Sequence, residues 1–222
     1  MPTSTVEQYI KIIYTQREHL GEGVVPMKRL SEAMGVTPGT ATTMVKHLDE
    51  VELVRYQPRQ GVLLTEKGEN LALRMLRRHR LIETFLEQVL GYDWSEVHAD
   101  AERLEHAVSD RFIDKLEDYL GYPEVDPHGD PIPTASGAIE PPIGIPLNTC
   151  APGRRVQIAR LIDDDTDFLV YMKNSMIVPG QDFGVRENSA VAGTVTIEHL
   201  ATRRVVTVGF EPAGRILVSE HG

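Results

Sequence analysis

A single cysteine, Cys150, stands in 222 residues. It excludes an internal disulfide framework and any zinc site built from several thiolates. No run approaches the ~18 apolar residues needed to cross a bilayer. The opening MPTSTVEQYI carries no basic patch followed by an apolar core, the mark of a secretory leader. These absences make the cytoplasm the expected location, with no membrane partner. Glu-x-x-His is absent as well, which argues against a carboxylate-bridged di-metal enzyme in a helical bundle, since that chemistry uses paired Glu-x-x-His motifs. Hydrophobic residues make up 41% of the chain and charged residues 25%, a composition that supports a buried core and not a disordered chain.

The charge is unevenly spread. Lys and Arg number 23 against 33 Asp and Glu, a net of −10. Yet residues 1–80 hold 12 basic and 9 acidic side chains, while residues 81–222 hold 11 and 24. An N-terminal region of net +3 beside a remainder of −13 fits a segregated nucleic-acid face.

Apolar spacing organises the chain. Val6, Ile10, Ile13 and Tyr14 predict an amphipathic helix near residues 4–19, ended by Gly21 and Gly23. A short helix starts near Met27. Thr37 caps a third, with Pro38 at its first position and Ala41, Met44, Val45 and Leu48 as its apolar stripe. Leu53–Tyr56 and Val62–Leu64 read as a hairpin whose turn is residues 58–61. Thr65 caps a long helix reaching Gly91, and further helices are expected over about 94–108 and 110–120. Eight of the 14 prolines fall between Pro123 and Pro152. Beyond them, Val156–Ile158, Val195–Ile197, Val205–Val208 and Ile216–Val218 predict a small β-barrel with one helical turn near 168–174. The expected organisation is a winged helix-turn-helix over 1–72, a helical domain over 73–135, a Pro-rich linker over 136–152 and a β domain over 153–222.

A short helix, a Gly-containing turn, a second helix and a basic hairpin make a winged helix-turn-helix, in which the second helix presents its N-terminal residues to the major groove. Here that end comprises Thr37, Pro38, Gly39, Thr40, Thr42 and Thr43. Small residues allow close backbone approach, hydroxyls bond phosphate oxygens, and a helix N-terminus attracts an anion. Lys46 and Arg59 would meet phosphates alongside. No Arg, Asn or Gln lies on residues 38–45, so readout leans on thymine methyls and DNA shape.

A second constellation follows. His79 and Glu83 stand four apart, as do His98 and Glu102, and Glu102, Glu105 and His106 share one helical face. Carboxylates and imidazoles at this density suffice for one or two divalent ions, although a salt-bridged surface would use the same residue types.

The order winged helix, RRHRLIETFL, VHADAERLEHAVSD, DPHGDPIP and small β domain resembles the metal-dependent repressors of the diphtheria toxin repressor family. The resemblance implies a homodimer on double-stranded operator DNA, activated by Mn(II) or Fe(II), with a C-terminal SH3-like domain similar to the small β domain found beside ferrous iron transporters. It implies that Glu102, Glu105 and His106 form the regulatory metal site. The iron branch has cysteine at the first of these positions and the manganese branch glutamate, as here, which favours manganese. It implies a second site from His79, Glu83 and His98. Gln8 falls where first-helix ligands occur, and Asp165 lies near where the iron branch draws a ligand from its β domain. Short manganese regulators carry glutamate where this chain has Lys11, which argues against their binuclear site. Two other readings follow from the same residues: an iron-responsive repressor, and a winged-helix regulator that senses an organic ligand.

Overall fold

The computed structural model describes residues 3–21, 23–141, 144–162 and 165–220. Helix α1 (Ser4–His19) starts where the Thr3 side chain accepts the Val6 N–H, and it buries Val6, Tyr9, Ile10, Ile13 and Tyr14. Helix α2 is Met27–Ala33 and α3 is Pro38–Glu50. The Thr37 hydroxyl accepts the Thr40 N–H at 3.2 Å, as the Thr-Pro start predicts. Strands β1 (Val54–Gln57) and β2 (Gly61–Leu64) pair antiparallel with Val54 opposite Leu64.

The wing has a contact that alternation along the chain does not reveal. Val25 and Val62 exchange both backbone hydrogen bonds, each 2.9 Å. Gly61 makes this approach possible: a Cβ there would sit 2.1 Å from the Val25 carbonyl oxygen.

Helix α4 spans Glu66–Gln88, with the Thr65 hydroxyl accepting the Gly68 N–H at 3.1 Å. It ends before the expected Gly91, which sits at φ +70 in the turn that follows. Helix α5 is Val97–Glu105, shorter at both ends than the periodicity suggests. Asp93 accepts from the Ser95 N–H and hydroxyl at 3.1 and 2.7 Å, and this side-chain turn competes with helix. Helix α6 (Asp110–Leu120) is capped by Ser109 and closed by Gly121 at φ 75, a left-handed stop.

The chain packs as two compact units. One comprises Met1–His79, Glu105–Val108 and Pro133–Ile139; the other comprises Arg80–Leu104, Ser109–Ile132 and Glu140–Gly222. The first unit is built around a core that includes Ile10, Ile13, Leu30, Val45, Leu48, Val62 and Leu76.

The second unit contains a six-stranded antiparallel sheet of order β3-β8-β4-β5-β6-β7. Its strands are β3 (Ile145–Pro146), β4 (Arg155–Leu161), β5 (Asp182–Ser189), β6 (Thr194–His199), β7 (Val205–Gly209) and β8 (Ile216–Glu220). Helices α7 (Thr166–Asn174) and α8 (Phe210–Gly214) pack with it, over a core that includes Val156, Ile158, Leu169, Phe183 and Val218. Part of the Pro-rich stretch is structural and does not behave as a free tether: Ile145–Pro146 join the sheet, and Leu147, fully buried, sits in a short 3-10 turn. Within this unit the loop after α6 is fastened to β4. The Leu161 N–H donates to the His128 carbonyl at 3.0 Å, and Arg160 pairs with Asp130 at 2.5 Å. Gly129 lies so close that a Cβ would be 2.0 Å from the Ala159 oxygen. Among the described residues, no helix is long and apolar enough to cross a membrane.

Candidate functional site

Thr37, Pro38, Gly39, Thr40 and Thr43 are exposed at the start of α3, with Thr42 half-buried and Lys46 exposed one turn on. The Thr42 and Thr43 hydroxyls donate to the Pro38 and Gly39 carbonyls at 2.7 and 3.1 Å. Each hydroxyl has one proton, so in this arrangement these two offer only acceptor lone pairs outward. Arg59 is exposed at the hairpin tip with φ 69.

The first unit brings together residues from three elements. Glu7 of α1 lies 2.8 Å from Nδ1 of His106, which follows the last residue of α5. One turn along α1, Lys11 Nζ reaches Glu105 Oε1 at 2.7 Å. The other Glu105 oxygen lies 2.5 Å from His79 Nδ1 on α4, and His106 Nε2 is 3.4 Å from Oε1. Glu105 is fully buried. Burial pushes its pKa up, but the His79 hydrogen bond and the His79 and Lys11 charges more than offset this, so the group stays below the usual carboxylate range. Glu105 and His106, expected together with Glu102, thus share a cluster with Glu7 and Lys11, and His79, expected with Glu83 and His98, faces Glu105. Glu7, the neighbour of Gln8, was not among the expected ligands. Helical phase alone does not decide between adjacent residues, and the Gln8 amide oxygen is buried too.

A second cluster lies wholly in the other unit. Glu83 Oε1 on α4 is 3.2 Å from His98 Nδ1 on α5, and His98 Nε2 is 3.7 Å from Glu102 Oε1. Glu83 also joins Asp126 and His128: each offers a ligand atom within 4.8 Å of the others, and all three are buried. Asp126 Oδ1 accepts the N–H groups of His128 and Asp130 at 2.8 and 2.9 Å. Burial, then the charges of Asp130 and Glu83, hold its carboxyl well above the usual range, against the pull of Arg80. Such a buried concentration of carboxylates and imidazoles fits a divalent cation, which would replace repulsion by attraction. Asp126 and His128 were missed from sequence because the loop stands far along the chain from Glu83; the dense Asp-Pro-His-Gly-Asp run of DPHGDPIP was the available signal. His79 precedes Glu83 by one turn of α4. Asp165 caps α7, accepting the Phe168 N–H at 3.0 Å, and it is not in the Glu83–Asp126–His128 cluster.

The helical segment of the second unit leaves apolar groups in water. Phe112 is 47% exposed, Tyr119 69% and Leu90 55%. Isolated apolar residues at a surface are ordinary, but Phe112 and Tyr119 on α6 and Leu90 in the turn after α4 suit a partner surface.

Comparison with known proteins gives concordant matches. Residues 1–62 match the iron dependent repressor N-terminal DNA binding domain, and residues 65–134 match the iron dependent repressor metal binding and dimerisation domain. The iron-dependent repressor IdeR of Mycobacterium tuberculosis is 31% identical over 209 residues, which span 87% of this chain and 88% of that protein. Among solved structures, a manganese-dependent transcriptional repressor in complex with manganese has a TM-score of 0.90 at 38% identity, covering 97% of this chain and 100% of that one. The manganese regulator SloR has a TM-score of 0.81 at 34% identity, with 100% of both chains covered.

Proposed function

The chain belongs to the iron-dependent repressor family, that of the diphtheria toxin repressor, and from that premise we propose a cytoplasmic repressor activated by manganese(II). It is a metal-dependent transcriptional repressor and not an enzyme; it binds operator DNA through the N-terminal domain and dimerises through the helical one.

The observation that carries the proposal is the 2.8 Å approach of Glu7 to His106. Glu7 rides on the first helix of the DNA-binding region, and His106 follows the helix that bears Glu102 and Glu105. We assign Glu105 and His106, with Glu102 one turn earlier and Glu7 or Gln8 from α1, as the regulatory ligands. When bound, a divalent ion supplies a positive centre that these oxygens and the imidazole share. Glu7 and His106 are then held to a common point, and α1 is tied to the segment after α5. An arrangement with the ligands gathered binds the ion better, so its population rises. In the dimer that arrangement sets the two recognition helices about one turn of DNA apart, ~34 Å.

The metal assignment rests on chemistry. Glu7, Glu102 and Glu105 are hard oxygen donors beside a single imidazole, and no thiolate is present to favour softer ions. Glu83, Asp126 and His128, with His98 adjoining, form the second centre in this proposal, and His79 stands one turn away on α4. Asp165 is proposed as the cap of α7. The iron-responsive alternative draws support from the mycobacterial relative, an iron-dependent repressor. Operator binding by the purified dimer, titrated in parallel with Mn²⁺, Fe²⁺ and Zn²⁺, separates the two. Manganese should tighten binding by ~1–3 kcal/mol, the usual size of an allosteric coupling. Full response to iron with none to manganese would reverse the assignment, and equal binding in chelator would remove the switch.

A further inference from the structure

Between α1 and α3 the first unit holds an open cleft of about 600 Å³. Helix α1 contributes Tyr9 to its wall, and the turn after α2 contributes Met34 and Val36. Helix α3 supplies Thr40, Thr43 and Met44. Clefts of roughly 300–1,000 Å³ take small organic ligands, and such sites are mostly apolar with a few placed polar groups. The cleft lies wholly within the first unit. It shares no residue with either carboxylate–imidazole cluster.

The wall chemistry selects a class of ligand. No Lys, Arg, Asp or Glu lines the cleft, so an ion entering it would give up hydration with no opposite charge to meet. His47, also in the wall, is exposed and lies 3.9 Å from Glu50. Tyr9 sets the polar requirement. It is 2% exposed, and among the described residues its hydroxyl has no hydrogen-bond partner. Burial raises its pKa, so the group stays a neutral donor. A buried hydroxyl without a partner costs free energy that a ligand acceptor would recover. The Thr43 hydroxyl spends its proton on the Gly39 carbonyl at 3.1 Å, so it has only lone pairs to offer. Met34 and Met44 add polarisable thioethers, which favour contact with aromatic rings.

We propose that this cleft binds an uncharged aromatic molecule bearing a hydrogen-bond acceptor, held by the Tyr9 hydroxyl, and that its occupant opposes operator binding. The second half rests on the reading of the N-terminal end of α3 as the DNA-facing end. Thr40 and Thr43 are exposed there and also line the cleft. A molecule seated against them takes the space and the lone pairs that face DNA, so ligand and operator exclude one another. Each therefore weakens the binding of the other by the same factor. The protein then answers to two signals of opposite sense, a metal that promotes repression and an organic molecule that releases it.

The test uses the full-length, manganese-loaded dimer and the neutral naphthyl ketone Prodan, whose emission moves to the blue in an apolar site. That shift reads its affinity, and the anisotropy of a labelled operator duplex reads DNA affinity with and without saturating Prodan. Wild type should bind the dye. Tyr9→Phe, which removes the hydroxyl alone, should bind it about three- to tenfold more weakly, the loss of one neutral hydrogen bond. Its operator binding without dye should match wild type. Val36→Trp should fill the cleft and abolish dye binding. Saturating Prodan should weaken operator binding by about tenfold or more in wild type and leave Val36→Trp unaffected. No dye binding by wild type, or equal affinity in wild type and Tyr9→Phe, overturns the ligand assignment, and this holds even if Val36→Trp does not fold. Lys46→Ala, which lies outside the cleft, keeps the two readings apart. If it weakens operator binding while bound Prodan does not, the exclusion fails and the DNA-facing assignment stands. If neither weakens it, the DNA-facing end is misassigned and the exclusion falls with it.

Discussion

The Nε2 atom of His128 lies 2.8 Å from the backbone carbonyl oxygen of Trp94. A carbonyl only accepts, so this nitrogen carries the proton, and in the neutral ring Nδ1 is left with a lone pair. That lone pair faces Glu83, whose Oε2 is 3.9 Å from Nδ1. In that form two acceptors are turned toward one another, an arrangement that a bound cation would relieve, and the carbonyl behind the ring is the kind of support that orients a histidine ligand.

His128→Ala and Asp126→Asn should each lower manganese uptake by one ion per subunit, read by elemental analysis after dialysis. The loss should add to that of His106→Ala, since the two centres share no ligand in this assignment. Unchanged uptake in both variants would remove the second centre.

Lys46 and Arg59 are exposed cations flanking the start of α3 and the tip of the wing. Replacing either with alanine should weaken binding to all DNA sequences alike and lower the slope of log K against log salt by about one per lost phosphate contact. A loss confined to one operator base would contradict a phosphate role.

Glu102 is half-buried and close to His98. Glu102→Cys introduces a soft thiolate, so the metal ranking in operator binding should move toward Fe²⁺ and Zn²⁺. A ranking identical to wild type would exclude Glu102 from metal selection.

Asp93 on the loop before α5 is hydrogen-bonded to Lys173 of α7. The Lys173 hydrogen bond, followed by those from Ser95, lowers the Asp93 carboxyl to about 2. A depressed acid stabilises the fold above its unfolded pKa, and the contribution is lost as pH falls through the folded value. The pair should therefore help fully above about pH 4 and fade toward pH 2. Both side chains are partly exposed, so solvent screening limits the effect to about 0.5–1 kcal/mol. Denaturant melts of wild type and Asp93→Asn should differ at pH 6 and converge at the acid end; a constant difference would contradict the linkage.

Gly129→Ala should detach the loop after α6 from β4. A methyl group 2.0 Å from the Ala159 oxygen must displace backbone, at a φ of +85 that already disfavours a side chain. A loss of ~2–3 kcal/mol is expected, with faster amide exchange at Leu161. Unchanged exchange there would show that the contact is not needed for docking.

Much of this architecture is written locally. Thr37-Pro38, Thr65 and Gly121 announce helix ends through their own hydrogen-bonding and dihedral preferences, and each acts where expected. His79 and Glu105 are readable because a helix turn repeats at fixed spacing. The Glu83–Asp126–His128 group is not readable that way, because it depends on how a distant loop folds back. Strand β5 hides behind Arg186, Glu187 and Asn188, polar residues that interrupt alternation. That Glu7, one residue before Gln8, is the one beside His106 turns on the rotation of α1, which packing sets. Asp165, placed near a ligand position by spacing, carries a local role that the sequence also offers: its carboxylate accepts the Phe168 N–H at the first turn of α7.

The bond between Val25 and Val62 bears on how the protein avoids its own kind. A two-stranded wing, anchored in the core by Val54 and Val62, has two outer margins where backbone groups can go unpaired, and a concentrated dimer on a repetitive polymer is a setting for strand-to-strand adhesion. By pairing with Val62, the segment before α2 covers one of those margins, and Gly61 is the only residue type that admits it so closely. The wing thus keeps a sticky edge sealed while its basic tip stays available.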